Sequence, residues 1–315
     1  MIEQFLFSLG VIGPVFLLIL LGIIVKVLGI VDQDFVTKSS KFVFKISLPA
    51  LLINKLASAD FGQVFDVEII YFALITTVMQ FGLSWIASLY FTKLPEDRGV
   101  FIQGSFRSNY AIVGLAVLSN YFGNGVLGKA TLVLAFVMPL YNLLGVVSLV
   151  LPHQRIREIN FLNILKEIMM NPLVLSVFIA MPFSYGVIEM PVVVDKTILY
   201  LSNIALPLAL IGIGATLNLE SLKAASIMSF TASGIKIVIF PMIFSIIAIY
   251  WGFSGADLGI LFVLFGSPTA IASFIMADAM KGNRMLAGDI IIISSVLSVL
   301  TLSIGFTFLN YYGYI

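Results

Sequence analysis
The chain has no cysteine, which excludes disulfides and thiolate chemistry and leaves the compartment open. It has one histidine, His153. Gly252-Phe253-Ser254-Gly255 matches the GxSG string of an intramembrane serine protease, but a serine nucleophile needs a base beside it. His153 and Gly252 fall in turns on opposite sides of the bilayer in the topology derived below, so that chemistry is not expected. Charge is scarce as well. Lys and Arg number 17, Asp and Glu 16, and the net charge of +1 gives no case for nucleic acid. There is no Walker loop, no Gly-rich dinucleotide fingerprint and no metal-ligand cluster. The chain is expected not to be an enzyme, to carry no cofactor or metal, and not to be driven directly by ATP. Asn171-Pro172 resembles half of the paired Asn-Pro-Ala loops of water channels, but it lacks the alanine and a partner.

Apolar sequence is what the chain has in abundance. Hydrophobic residues make up 60% of it and mean hydropathy is +1.12, far above what a soluble chain of this length carries. Stretches of roughly 20 apolar residues, enough to cross a bilayer, recur at about 5–30, 34–58, 67–92, 98–120, 125–151, 161–187, 192–217, 223–250, 256–280 and 284–310. They predict an all-α polytopic membrane protein of ten spans without a soluble domain. The first span lacks a basic n-region and continues too far for a cleavable signal peptide. Lys26, Lys38, Lys41, Lys93, Arg98, Arg155, Arg157, Lys166, Lys223, Lys281 and Arg284 fall on one side, against Lys55, Lys129 and Lys196 on the other. The positive-inside rule makes the first side cytoplasmic. Both termini are then extracytoplasmic, in a cell (plasma) membrane.

The chain also repeats itself. Ile46-Ser47-Leu48-Pro49-Ala50-Leu51-Leu52-Ile53 recurs as Ile204-Ala205-Leu206-Pro207-Leu208-Ala209-Leu210-Ile211, and Pro14 maps onto Pro172 at the same offset. Ser108-Asn109-Tyr110-Ala111-Ile112 maps onto Ser267-Pro268-Thr269-Ala270-Ile271. The division is into residues 1–152 and 153–315, with five spans each. An odd number makes the second half enter the membrane from the opposite face, so the halves form an inverted repeat. Alternating-access carriers use that symmetry, and some channels have it too.

Polar groups inside the spans locate a candidate site. Span 4 carries Gln103-Gly104-Ser105-Phe106-Arg107-Ser108-Asn109, and span 9 carries Gly266-Ser267-Pro268-Thr269 at the matching place. Proline within a helix removes a hydrogen bond and clashes with the preceding turn. Helix breaks are therefore expected at Pro268, and also at Pro49 and Pro207. If spans 4 and 9 cross at their breaks, two half-helix N-termini converge on one point, which attracts an anion. Ser108, Asn109, Ser267 and Thr269 are candidate contacts, and Arg107 adds full charge. Arg107 has two other options: pairing with a carbonyl of span 9, or reaching to the cytoplasm. Small polar residues in spans also serve packing alone. Asn54 suits either a cavity or a helix–helix hydrogen bond, Asn171 either the cavity or a cap, and Gln80 and Asn142 packing. Lys236, with Pro241 after it, suits snorkelling, an ion pair, or a charge that compensates the substrate or replaces a coupling cation.

These marks resemble the auxin efflux carrier family in its bacterial branch, which includes proteins described as malate or malonate permeases. The resemblance spans nearly the whole chain. It rests on Leu48-Pro49, Gly104-Ser105, Arg107-Ser108-Asn109, Gly114, Asn171-Pro172, Leu206-Pro207-Leu208-Ala209-Leu210, Gly214, Lys236 with Pro241, and Pro268-Thr269-Ala270, in that order. It implies a fold like that of bile-acid symporters and sodium/proton antiporters. Spans 1, 2, 6 and 7 would form a scaffold, often used for dimerisation, so a homodimer is expected. Spans 3–5 and 8–10 would form a moving transport unit, with spans 4 and 9 crossing. It further implies a small organic-anion substrate whose carboxylate sits at Asn109. The sequence leaves the coupling open between a co-transported proton, sodium, and uniport along the membrane potential. The rival function is a passive anion channel, or a carrier of amino acids or other small polar solutes. Plant members place proline immediately before the asparagine, where this chain has Ser108, and they have a long cytoplasmic loop where this chain has a short link at about 152–160.

Overall fold
The computed structural model describes residues 2–59, 61–153, 166, 169–217 and 225–315. Arg155, Arg157 and Lys223 of the charge count, most of the link between the halves and the first part of the sixth stretch lie outside those residues. In chain order the main helices are α1 (Ile2–Val27), α2 (Gln33–Phe42), α3 (Leu48–Ala57), α4 (Val67–Phe91), α5 (Pro95–Phe106), α6 (Leu115–Phe122) and α7 (Leu127–Val150). They continue as α8 (Pro172–Ser184), α9 (Val192–Thr216), α10 (Ile227–Gly234), α11 (Phe240–Trp251), α12 (Gly255–Gly266), α13 (Ala272–Ala279) and α14 (Arg284–Tyr311). Among the described residues there is no strand beyond one isolated bridge.

Helix starts follow from side chains that satisfy the first free N–H groups. Asp66 accepts from the amides of Glu68 and Ile69 to open α4. Asn171 accepts from Leu173 to open α8, and Asn283 from Leu286 to open α14. Pro95 sits in the first turn of α5, where its missing N–H costs nothing. Gly252 ends α11 at φ +105°, a conformation that side chains resist.

Six helical runs are long and apolar enough to cross a membrane: α1, α4, Asn124–His153 containing α7, α9, Ile227–Trp251 containing α10 and α11, and α14. Tyr110–Phe122, Pro172–Ser184 and Gly255–Gly266 are shorter apolar helices. Their surfaces are inverted relative to a soluble protein. On α4, Val78, Met79, Leu83 and Ile86 are exposed while Thr76, Thr77, Gln80 and Ser84 are buried. On α14, Val296, Leu297, Leu300 and Ile304 face out while Ser294, Ser295 and Ser298 are inside. Apolar bands of this extent are stable only against lipid. Several of the buried hydroxyls bond back to the preceding turn, as Thr76 does to the Phe72 carbonyl at 2.7 Å and Ser298 to Ser295 at 2.9 Å, so these can sit inside unhydrated. The chain is a multi-pass membrane protein.

The structure corrects two of the expected helix breaks. Pro49 follows a π-helical turn, Val43–Ser47, that joins α2 to α3 without interruption. The Leu48 amide reaches back five residues to the Val43 carbonyl. This wider turn absorbs the proline ring and its missing donor. Pro241 uses the same device, with Ile235–Ile239 as the π turn and the Phe240 amide on the Ile235 carbonyl. Pro207 lies inside α9, which runs unbroken through it. Only Pro268 interrupts its helix.

Two groups of helices stand out by their packing, and α1 of the first also lies closely along α14 of the second. In one, α1 lies along α9, α3 along α8, and α3 along α9. In the other, α4 packs on α5 and α7, α11 on α12, and α10 and α13 on α14. The second group is tied at both ends. At one end the Lys129 ammonium of α7 lies 3.3 Å from Asp66 before α4 and 2.8 Å from Asp257 of α12. At the other, Asn283 binds the Glu96 carbonyl at 3.1 Å and the Asp97 carboxylate at 2.7 Å, joining α14 to α5.

The α1–α9 contact is backbone against backbone. A Cβ on Gly22 would meet the Ile211 carbonyl oxygen at 2.1 Å, and one on Gly214 would meet that of Ile19 at 1.8 Å. Small residues at such crossings let dispersion contacts form along the whole interface. Gly214→Ala is expected to force the pair apart and cost about 1–3 kcal/mol. Thermal unfolding of detergent-purified protein measures this. Gly82→Ala on α4, where nothing lies within 4 Å, should leave the transition where it is.

Candidate functional site
Spans 4 and 9 are both interrupted, and the interruptions meet. The chain leaves α5 at Phe106, passes through Arg107-Ser108-Asn109 in non-helical conformation, and resumes as a π turn, Tyr110–Gly114, before α6. It leaves α12 at Gly266 and resumes as α13 at Ala272. Ser108 and Thr269 pair as an antiparallel bridge. The Asn109 amide donates to the Pro268 carbonyl at 2.7 Å, and the Ala270 amide to the Arg107 carbonyl at 3.2 Å. Each break thus supplies main-chain partners that the other lacks, which a membrane interior demands.

Side chains close the remaining gaps. Thr269 donates its hydroxyl to the Gly104 carbonyl at 2.6 Å, and its amide donates to Ser294 Oγ at 3.1 Å. Ser267 donates to the Val263 carbonyl at 2.7 Å. The Lys236 ammonium, fully buried, donates to the Phe265 carbonyl near the end of α12. A helix C-terminus carries partial negative charge, so the lysine caps that end electrostatically. The Tyr141 hydroxyl approaches Ser108 without closing a well-formed hydrogen bond to its Oγ.

A cavity of about 100 Å³ opens on one side of the crossing. Arg107, Ser108 and Asn109 line it from span 4, Ala270 to Ala272 from span 9, and Phe44 and Leu48 from the α2–α3 run. The cavity therefore sees the start of the π turn, the start of α13 and Arg107, whose guanidinium is turned toward Asn142 and Met276, an arrangement suited to an anion. Arg107 takes neither of the two alternative positions open to it in sequence. Its Nη2 donates to Asn142 Oδ1 at 2.7 Å, and its Nη1 lies 2.6 Å from Met276 Sδ. These partners are neutral, so the charge stays uncompensated by any carboxylate in those contacts.

The candidate residues thus separate by place. Arg107, Ser108 and Asn109 share the cavity wall. Ser267, Pro268 and Thr269 stand at the crossing but behind that wall, where they hold main-chain groups. Asn171 is buried and caps α8, and Asn54 is buried near the end of α3; neither lines the cavity. Of the groups that orient Arg107, sequence reading passed over Met276 and assigned Asn142 to packing. The one available signal was that Asn142 matches Thr301 across the repeat, a polar pair in mid-span.

A family model described as "Membrane transport protein" matches residues 7–305. An "uncharacterized transporter" of Methanothermobacter thermautotrophicus is 25% identical over 302 residues, covering 95% of this chain and 97% of that one.

The Lys236 contact is open to a direct test. Lys236→Met keeps most of the volume and leaves the Phe265 carbonyl without its charged donor. A hydrogen bond to a charged group is worth about 1.5–3 kcal/mol, and a loss of that order is expected in the thermal unfolding of purified protein. An unchanged transition would show that α12 does not depend on this cap.

Proposed function
The chain belongs to the membrane transport protein family, and on that premise we propose that it is a secondary carrier of small organic anions, malate- or malonate-like or auxin-like carboxylates, working by alternating access. One observation carries the proposal. Two broken helices cross through a main-chain bridge between Ser108 and Thr269, and Arg107, Ser108 and Asn109 line a cavity at that crossing, with no carboxylate among the described residues that line it. A carboxylate bound there would meet the amides at the start of the π turn, the Asn109 side chain and Arg107. A second carboxylate group would use the full charge of Arg107, which favours dicarboxylates.

The architecture in this reading is ten spans in two inverted repeats, 1–152 and 153–315. The two close pairings α1–α9 and α3–α8 support it, since a pseudo-twofold that exchanges the halves also exchanges those pairs. The first helix group is then the scaffold and the natural dimer face, and the second is the transport unit. The ties at both ends of the second group suit a body that moves as one. Termini outside the cytoplasm, a plasma-membrane location and a proton as coupling ion belong to the same reading. Lys236 donates to the Phe265 carbonyl and does not line the cavity, so in this reading it serves the end of α12 and not the substrate.

Two measurements test the proposal. Asn109→Ala is expected to weaken malonate binding to purified protein about tenfold, the loss of one hydrogen bond to a charged ligand, while the unfolding temperature holds. Asn142→Asp is expected to weaken binding at least as much, because it sets a carboxylate against Arg107 and cancels the charge. In proteoliposomes a carrier shows uptake accelerated by malonate on the opposite side. Binding and uptake that persist unchanged in Asn109→Ala would sink the site assignment, and conductance with no such acceleration would sink the carrier assignment.

A further inference from the structure
A second and larger cavity lies outside the crossing. It measures about 280 Å³, close to the ~300 Å³ at which small-molecule pockets begin. The first helix group contributes α1, α3 and α9 to its wall, and α6 and the start of α7 complete it. Its polar lining includes Ser119, Asn120, Asn124, Ser202 and Asn203. Lys55 is the one charged residue among the described residues that line it, and no carboxylate does. Lys129, by contrast, is held by two aspartates. Pro207 also lines this cavity, and its missing N–H withdraws the usual donor from the Asn203 carbonyl one turn earlier.

The two cavities are stacked on one seam. Leu48 lines the crossing cavity and Leu51 the larger one, three residues apart on α3. Ile112 and Ala116 do the same, four residues apart on the run into α6. One helical turn on each of two facing elements separates them. Asn120 bridges the groups above this seam, donating to the Val11 carbonyl of α1 at 3.2 Å.

We propose that the larger cavity is a second binding station for a small carboxylate, with Lys55 as its cation and the neighbouring asparagines and serines as hydrogen-bonding partners. The ligand passes between it and the crossing through the apolar layer of Leu48, Leu51, Ile112 and Ala116. Five neutral polar side chains and one lysine hold an anion without trapping it, as a station on a path requires. The ligand class rests on the carrier reading above; the place and its charge do not.

The absence of cysteine makes the test clean, because Ser119→Cys would be the sole thiol in the protein. Purified Ser119→Cys protein is treated at low salt with anionic or cationic methanethiosulfonate reagents of similar size. The anionic reagent is expected to react about threefold faster or more, the effect of one unit charge across a wet cleft. Lys55→Gln should abolish that preference and Lys55→Arg should keep it, so the charge is tested even if Lys55→Gln folds poorly. Malonate should slow the labelling, in the Asn109→Ala background as well, and should not in Lys55→Gln. No protection by malonate in any background, or protection indifferent to Lys55, overturns the station. Protection that disappears with Asn109→Ala also overturns it, since the effect then comes from the crossing. The carrier reading stands or falls separately, on direct malonate binding with Asn109 intact.

Discussion
An apolar medium offers no water to a severed helix, and the structure turns on how that constraint is met. Spans 4 and 9 both stop mid-course. Each exposes carbonyls on one side of its break and amides on the other. The two main-chain bonds between Asn109 and Pro268 and between Ala270 and Arg107 answer this shortage mutually. Thr269, Ser267 and Lys236 then cover carbonyls of the helices that end there. What remains at the cavity wall is a surplus of positive character: two helix starts and Arg107. In the proposed reading, architecture and anion preference share this single origin.

Much of this was legible from sequence, and the reasons differ by residue. Pro268 announces its break because proline cannot donate and the segment around it has few alternatives. Asn109 could be placed opposite it only through the repeat, since nothing in Arg107-Ser108-Asn109 forbids a helix. Pro49 and Pro207 misled for an equally physical reason. A helix can widen by one residue, as it does at Val43–Ser47, or tolerate one lost bond, as at Pro207. A proline in a sequence does not say which remedy its neighbours permit.

The side chains around Arg107 were the least legible part. A buried arginine asks for partners, and the obvious expectation is an acid or a carbonyl. Asn142 and Met276 supply instead a neutral amide and a polarisable sulfur. Gly145 makes the space, since a Cβ there would lie 2.8 Å from the Gln103 amide nitrogen and 3.1 Å from the Arg107 guanidinium. None of these three residues carries a pattern of its own. Their role exists only once α5, α7 and α13 are packed together.

The joint between spans 4 and 9 is made of main chain, and main chain is common to every residue. Side chains at 107 and 109 are therefore not what holds the two strands of the crossing together. They are tenants of a frame that stands without them. The chemistry shown to a solute can drift by substitution while the joint is inherited intact. Selectivity and machinery are separable traits in such a molecule, which gives evolution or an engineer a free hand at the first without dismantling the second.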